Sequence, residues 1–164
     1  HLGAKVVLVG RREEKLLQVQ HEIIEDGGKA EIQALDIREE ENVIASVNAI
    51  LERYGPVHGL VNNAGVAMGG PINLIDTDVF RKQFEVNFFG LIEVTKTFLP
   101  MLGAVKKSMQ QGKIINISSI SGRRAYQILA PLTPSKFALD QFSDKLRREM
   151  LLYCLDVIMI QPGP

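Results

Sequence analysis

The chain has 164 residues, 46% hydrophobic and 23% charged. That is room for one domain with a sizeable core, and the composition is not that of a disordered segment. Nineteen Lys and Arg balance nineteen Asp and Glu, which removes the electrostatic footprint expected of a nucleic-acid or anionic-membrane binder.

The first strand is predicted over residues 4–9, a β-branched apolar run bounded by Gly3 and Gly10. A helix follows over 12–26, with Leu16, Leu17, Val19, Ile23 and Ile24 near helical spacing, and Gly27-Gly28 ends it. Residues 30–37 read as a second strand. Residues 39–54 read as a second helix, with Val43, Ile44, Val47, Ile50 and Leu51 on one face. After Gly55-Pro56 a third strand covers 57–61 and runs into Asn62-Asn63-Ala64-Gly65.

A glycine-rich loop spans 66–71. Helices are predicted over 76–84 and 86–109, the second kinked or broken at Pro100. The fourth strand is 114–118, followed by Ser119 and a loop. An amphipathic helix covers 135–153, carrying Phe137, Leu139, Phe142 and Leu146, and a fifth strand covers 155–160. Cys154 lies in an apolar run and reads as a small buried hydrophobe.

Apolar strands alternating with helices predict an α/β fold, a doubly wound parallel sheet covered on both faces. Right-handed crossovers bring the strand ends to one edge. Gly10-Arg11-Arg12, Asp36, residues 62–65 and Ser118-Ser119 meet there, as loops lining one crevice.

Together, Asn62-Asn63-Ala64-Gly65, Asn87-Phe88-Phe89-Gly90, Asn116-Ile117-Ser118-Ser119, Ser135-Lys136 and Pro162-Gly163 resemble the short-chain dehydrogenase/reductase family in order and spacing. The resemblance implies one partial Rossmann-like dinucleotide-binding domain over residues 1–164. It implies hydride transfer between NADP(H) and a small-molecule carbonyl or alcohol, with no metal and no nucleic acid. Arg11 and Arg12 stand where the family reads the adenosine ribose. Arginine there suits a 2′-phosphate, so NADP is favoured over NAD. Asp36, with Ile37 beside it, corresponds to the acidic residue near the adenine; a helix cap is its plain structural role.

Asn63, Ala64 and Gly65 resemble the turn along which the backbone approaches the cofactor, and Pro162 and Gly163 a further cofactor contact. Ser119 matches the serine that orients a carbonyl. Lys136 matches the lysine that binds the nicotinamide ribose and lowers a neighbouring phenol's pKa. Asn87 matches the asparagine of the proton relay. The resemblance also implies homodimers or tetramers through the two long helices.

Two departures stand out. The family's tyrosine lies four residues before the lysine, and here that position is Leu132. Leucine moves no proton, Tyr126 and Thr133 are poor substitutes, and Pro134 disfavours helical geometry at Thr133. Nothing matches the family's first strand and T-G-x-x-x-G-x-G turn, and the chain begins at His1 and ends at Pro164. The expectation is therefore a piece cut at both ends, with impaired chemistry. A silent cofactor-binding or dimerisation module, or a non-functional fragment, is the alternative. With one cysteine and no recognisable signal peptide or membrane-spanning run, the expected location is cytoplasmic. A parent protein carrying a targeting or membrane segment stays open.

Overall fold

The computed structural model describes residues 3–105, 108 and 111–163. Five strands alternate with helices: β1 (Lys5–Gly10), α1 (Glu13–Glu25), β2 (Lys29–Ala34), α2 (Glu40–Tyr54), β3 (Gly59–Asn62), α3 (Thr77–Phe84), α4 (Leu91–Leu102), β4 (Lys113–Ile117), α5 (Leu132–Met150) and β5 (Asp156–Ile160). Every strand pairing is parallel, as the continuous apolar runs predict.

The described strands form two parallel sheets, β1–β2 and β3–β4–β5, so the doubly wound sheet is divided between β1 and β3. β1 and β3 each keep one edge without a ladder partner. Apolar burial joins the two halves instead of backbone hydrogen bonds. Val43, Val47 and Ile50 of α2 share a core with Leu60, Phe98, Met101, Leu102, Ile114, Leu146, Met150, Leu155 and Val157, and Val7 of β1 packs against it.

The strand pleat sorts side chains with a period of two. β3 and β4 bury Leu60, Asn62, Ile114 and Asn116 on the face toward α4 and α5. The two buried amides are satisfied in a chain of hydrogen bonds. Asn62 donates to Thr95 Oγ1 and to Asn116 Oδ1, and Asn116 donates to Ser143 Oγ, each at 2.9 Å. The opposite face leaves Val61 57% exposed and Ile160 45% exposed.

The helix predicted over 86–109 divides. Residues Glu85–Gly90 wind as a π-helix, and α4 stops at Leu102. Pro100 sits in the last turn without breaking it. Gly103, at φ 106°, ends the helix by taking the left-handed conformation, and Ala104 N–H donates to Leu99 O. Of the predicted extension, residues 106, 107 and 109 lie outside the described residues.

α5 starts at Leu132, three residues earlier than predicted, and ends at Met150 before a 3-10 turn, Leu151–Tyr153. Thr133 lies in the helix despite the steric bias of Pro134 against helical backbone at the preceding residue, and Pro134 itself sits in the first turn, where its missing N–H removes no intrahelical bond. Thr133 N–H donates to Leu129 O, and Ser135 Oγ donates to Leu132 O at 2.7 Å. Cys154 is exposed, not buried: its φ of 54° places it at the left-handed residue that ends the 3-10 turn. Several apolar residues counted on helix faces are also exposed, among them Leu17, Val19, Ile24, Ile44, Leu51 and Phe137.

Candidate active site

The C-terminal ends of the strands carry the candidate residues in two groups. The first lies after β1 and β2, which run side by side with Gly10 opposite Ala34. Asp36 accepts from the Arg38 guanidinium, at 2.5 Å from Nη2 and 3.1 Å from Nε, and from Arg38 N–H at 3.1 Å. Arg11 approaches the same carboxylate at 4.0 Å. The Arg38 hydrogen bond is the main reason that the Asp36 pKa is lowered, against the opposing pull of burial. Asp36 therefore closes a turn onto its own i+2 residue and does not cap α2, whose N-cap is Glu39 with no side-chain cap bond.

Arg38 is absent from the sequence-based candidates, although its Asp-x-Arg spacing was legible. With Arg11 it puts two guanidinium groups at one strand-end corner, and Arg12 follows at the start of α1. Ile37 packs toward the second group: its side chain lies 3.1 Å from where a Cβ on Gly90 would stand.

The second group forms around Lys136. Its Nζ donates to Ile117 O, at the end of β4, at 2.9 Å. Burial lowers the Lys136 pKa, and the nearby Asp140 carboxylate partly opposes that shift. Gly65, in the loop after β3, faces both Asn87 and Lys136. A Cβ there would lie 3.4 Å from Asn87 Oδ1 and 4.0 Å from Lys136 Nζ. Asn63 and Ala64 are exposed beside it. Loop, π-helix and α5 thus converge on one point.

Asn87 is 1% exposed, and its amide is fully engaged. Its Oδ1 accepts from Val66 N–H at 2.8 Å, and its Nδ2 donates to Val66 O at 3.0 Å and Ser135 Oγ at 3.2 Å. The side chain therefore holds the loop after β3 against α5. Its position inside a π-helix is one that frequently accompanies functional sites.

Ser119, in extended backbone, accepts from Ser121 N–H through its Oγ at 3.1 Å and starts a 3-10 turn, Ile120–Gly122. Pro162 O accepts from Ile120 N–H at 2.9 Å, which ties the segment after β5 to that turn, while a Cβ on Gly163 would face open space. Leu132 opens α5, one helical turn before Lys136. Tyr126 is 43% exposed in the preceding loop, and the buried Thr133 hydroxyl has no hydrogen-bond partner among the described residues. Among the described residues no cluster of His, Cys, Asp and Glu has the makings of a metal site. A cleft lined by Gly3, Ile23, Gly27 and Lys29 lies at the opposite, N-terminal ends of β1 and β2 and holds none of these residues.

The family profile described as short chain dehydrogenase matches residues 1–164. The chain is 43% identical over 132 residues to the uncharacterized oxidoreductase YusZ of Bacillus subtilis, covering 80% of this chain and 45% of that protein. It is 45% identical over 105 residues to an NADPH-dependent 3-dehydrocapnine reductase of Ornithobacterium rhinotracheale, covering 64% of this chain and 37% of that one. An actinorhodin polyketide ketoreductase solved with NADPH superposes with a TM-score of 0.90 at 33% identity, over 97% of this chain and 60% of that chain. The chain spans about half the length of the curated relatives it matches. No described helix is long and apolar enough to cross a membrane. With the full-length profile match, the parallel α/β architecture and the strand-end site together, the chain belongs to the short-chain dehydrogenase family.

Proposed function

We propose that this protein is an NADP(H)-dependent oxidoreductase of a carbonyl or alcohol, and that Leu132 leaves its proton transfer impaired. The observation that carries the reading is the meeting of Gly65, Asn87 and Lys136 at one point, with no side chain between them. The residues fit a nicotinamide dinucleotide at both ends. Arg11, Arg12 and Arg38 offer charge-assisted donors for a 2′-phosphate, with Asp36 and Ile37 toward the adenine. Asn63, Ala64, Gly65, Pro162 and Gly163 offer open backbone along its length. Lys136, with donors beyond the one given to Ile117 O, offers hydrogen bonds to the nicotinamide ribose.

When bound, such a cofactor supplies the hydride. Ser119 orients the substrate oxygen, and Asn87 fixes the loop that lets Gly65 lie against Lys136. No phenol stands at Leu132 to give or take the proton, and general acid–base catalysis is worth about 10²–10⁴-fold. The decisive experiment is NADPH oxidation with a panel of carbonyl compounds, with and without Leu132→Tyr. The substitution is expected to raise turnover by about 10²-fold or more. Ordinary turnover in the unsubstituted protein sinks the impairment.

The unpaired edges of β1 and β3 support one more element of the reading. A further parallel strand of a longer polypeptide seats between them and makes one sheet of the two. A second reading, a silent module that associates through its helices, is favoured by Phe89 and Phe137, which are 50% and 41% exposed. Stabilisation by NADPH without turnover in either form supports that module.

A further inference from the structure

Among the described residues Asp140 is the one carboxylate buried this deeply, at 2% exposure, and no step above uses it. A charge removed from water needs partners. Ser118 Oγ, at the end of β4, donates to Asp140 Oδ1 at 2.5 Å. Gln161, after β5, donates to Oδ2 through its Nε2. Arg123, in the loop after the 3-10 turn, brings its guanidinium within 3.5 Å of Oδ2. Gly122 carries no side chain where one would lie 2.6 Å from the same oxygen.

Each partner adjoins a site residue. Ser118 precedes Ser119, Gly122 closes the turn that Ser119 opens, and Gln161 precedes Pro162. Asp140 is also four residues after Lys136, on the same side of α5. The charged groups facing Asp140 are Arg123 and Lys136; from the ends of β4 and β5 it meets only the neutral Ser118 and Gln161.

Resting on the reading of the site given above, we propose that Asp140 is a positioning residue. It ties the Ser119 turn and the segment after β5 to α5, and it sets a negative charge one helical turn from the Lys136 ammonium, partly offsetting the cost of burying that ammonium. A neutral side chain would serve the first task as well. The second needs an anion, because burial disfavours the ammonium and an opposite charge restores it.

The test separates the two tasks. Lys136 in the full chain is titrated by competitive acetylation and mass spectrometry, for the wild type, Asp140→Asn and Arg123→Gln. Asp140→Asn keeps the shape and removes the charge, and is expected to lower the Lys136 midpoint. Arg123→Gln removes the competing cation at an exposed position and is expected to raise it. An unchanged or raised midpoint in folded Asp140→Asn overturns the proposal. Should that variant not fold, Arg123→Gln decides, and a midpoint that fails to rise overturns it. The titration needs neither cofactor nor turnover, so its failure is told apart from a failed NADPH assay, which would sink the oxidoreductase reading.

Discussion

Single side chains settle the chemistry that is open to this molecule. The three arginines after β1 and β2 differ in occupation: Arg38 is locked on Asp36, while Arg11 is 4.0 Å away and Arg12 forms the backbone start of α1 without a side-chain cap bond. Replacing Arg11 and Arg12 by alanine is expected to weaken NADPH binding by the equivalent of about 1.5–3 kcal/mol. NADH, lacking the phosphate, should change little; titration calorimetry with both cofactors checks this. Asp36 makes a second prediction. Its pKa is lowered in the folded state, chiefly by the Arg38 hydrogen bond. The unfolded chain therefore binds the proton first on acidification. The stability that the pair provides is present above the ordinary aspartate value, about 3.9, and is lost as pH falls through the depressed one. Thermal melts should show wild type ahead of Asp36→Asn near neutrality, with the lead vanishing toward acid.

The elements carry strain and closure that no single residue explains. The loop after β3 and the loop before α5 are stitched together by a bridge between Gly70 and Leu129, with Gly70 N–H donating to Ile128 O at 2.6 Å. Ile128 has a φ of 65° there, a conformation that a β-branched residue adopts only at a cost. The side chain itself is 64% exposed and contributes little burial in return. Ile128→Gly is therefore expected to stabilise the fold by about 1 kcal/mol, read from the urea midpoint at constant slope. Gly69 and Gly70 on the other side of the stitch are crowded by Ile128 O and by the Ile75 side chain, so larger residues there should loosen it.

At the scale of the whole molecule, the core does what the strand ladder does not. Among the described strands β4 is paired on both sides, whereas β1 and β3 each have an edge without a partner. Backbone protection follows from pairing and burial. In the 164-residue chain, amide exchange is expected to be slowest along β4 and fast on the open edges of β1 and β3. Equal protection across all five strands, measured by exchange mass spectrometry or NMR, contradicts this picture. The exposed Val61 and Ile160 on the face of the three-stranded sheet away from the core mark the same incompleteness of burial.

Much of this was written in the residues themselves. Apolar runs punctuated by glycine located five strands, because strand burial on both faces leaves no room for polar alternation. The spacing from Ser119 to Lys136 pointed to the candidate site and to Leu132 within it. Three things needed the folded chain. The π-helix around Asn87 meets Val66, distant in sequence, and the early start of α5 shows only in the bond from Thr133 N–H back to Leu129 O. Asp140 reads as one more polar residue on an amphipathic helix until tertiary packing buries it. Only then do Ser118, Arg123 and Gln161 gather around it, because a carboxylate without water must find its hydrogen bonds in the protein.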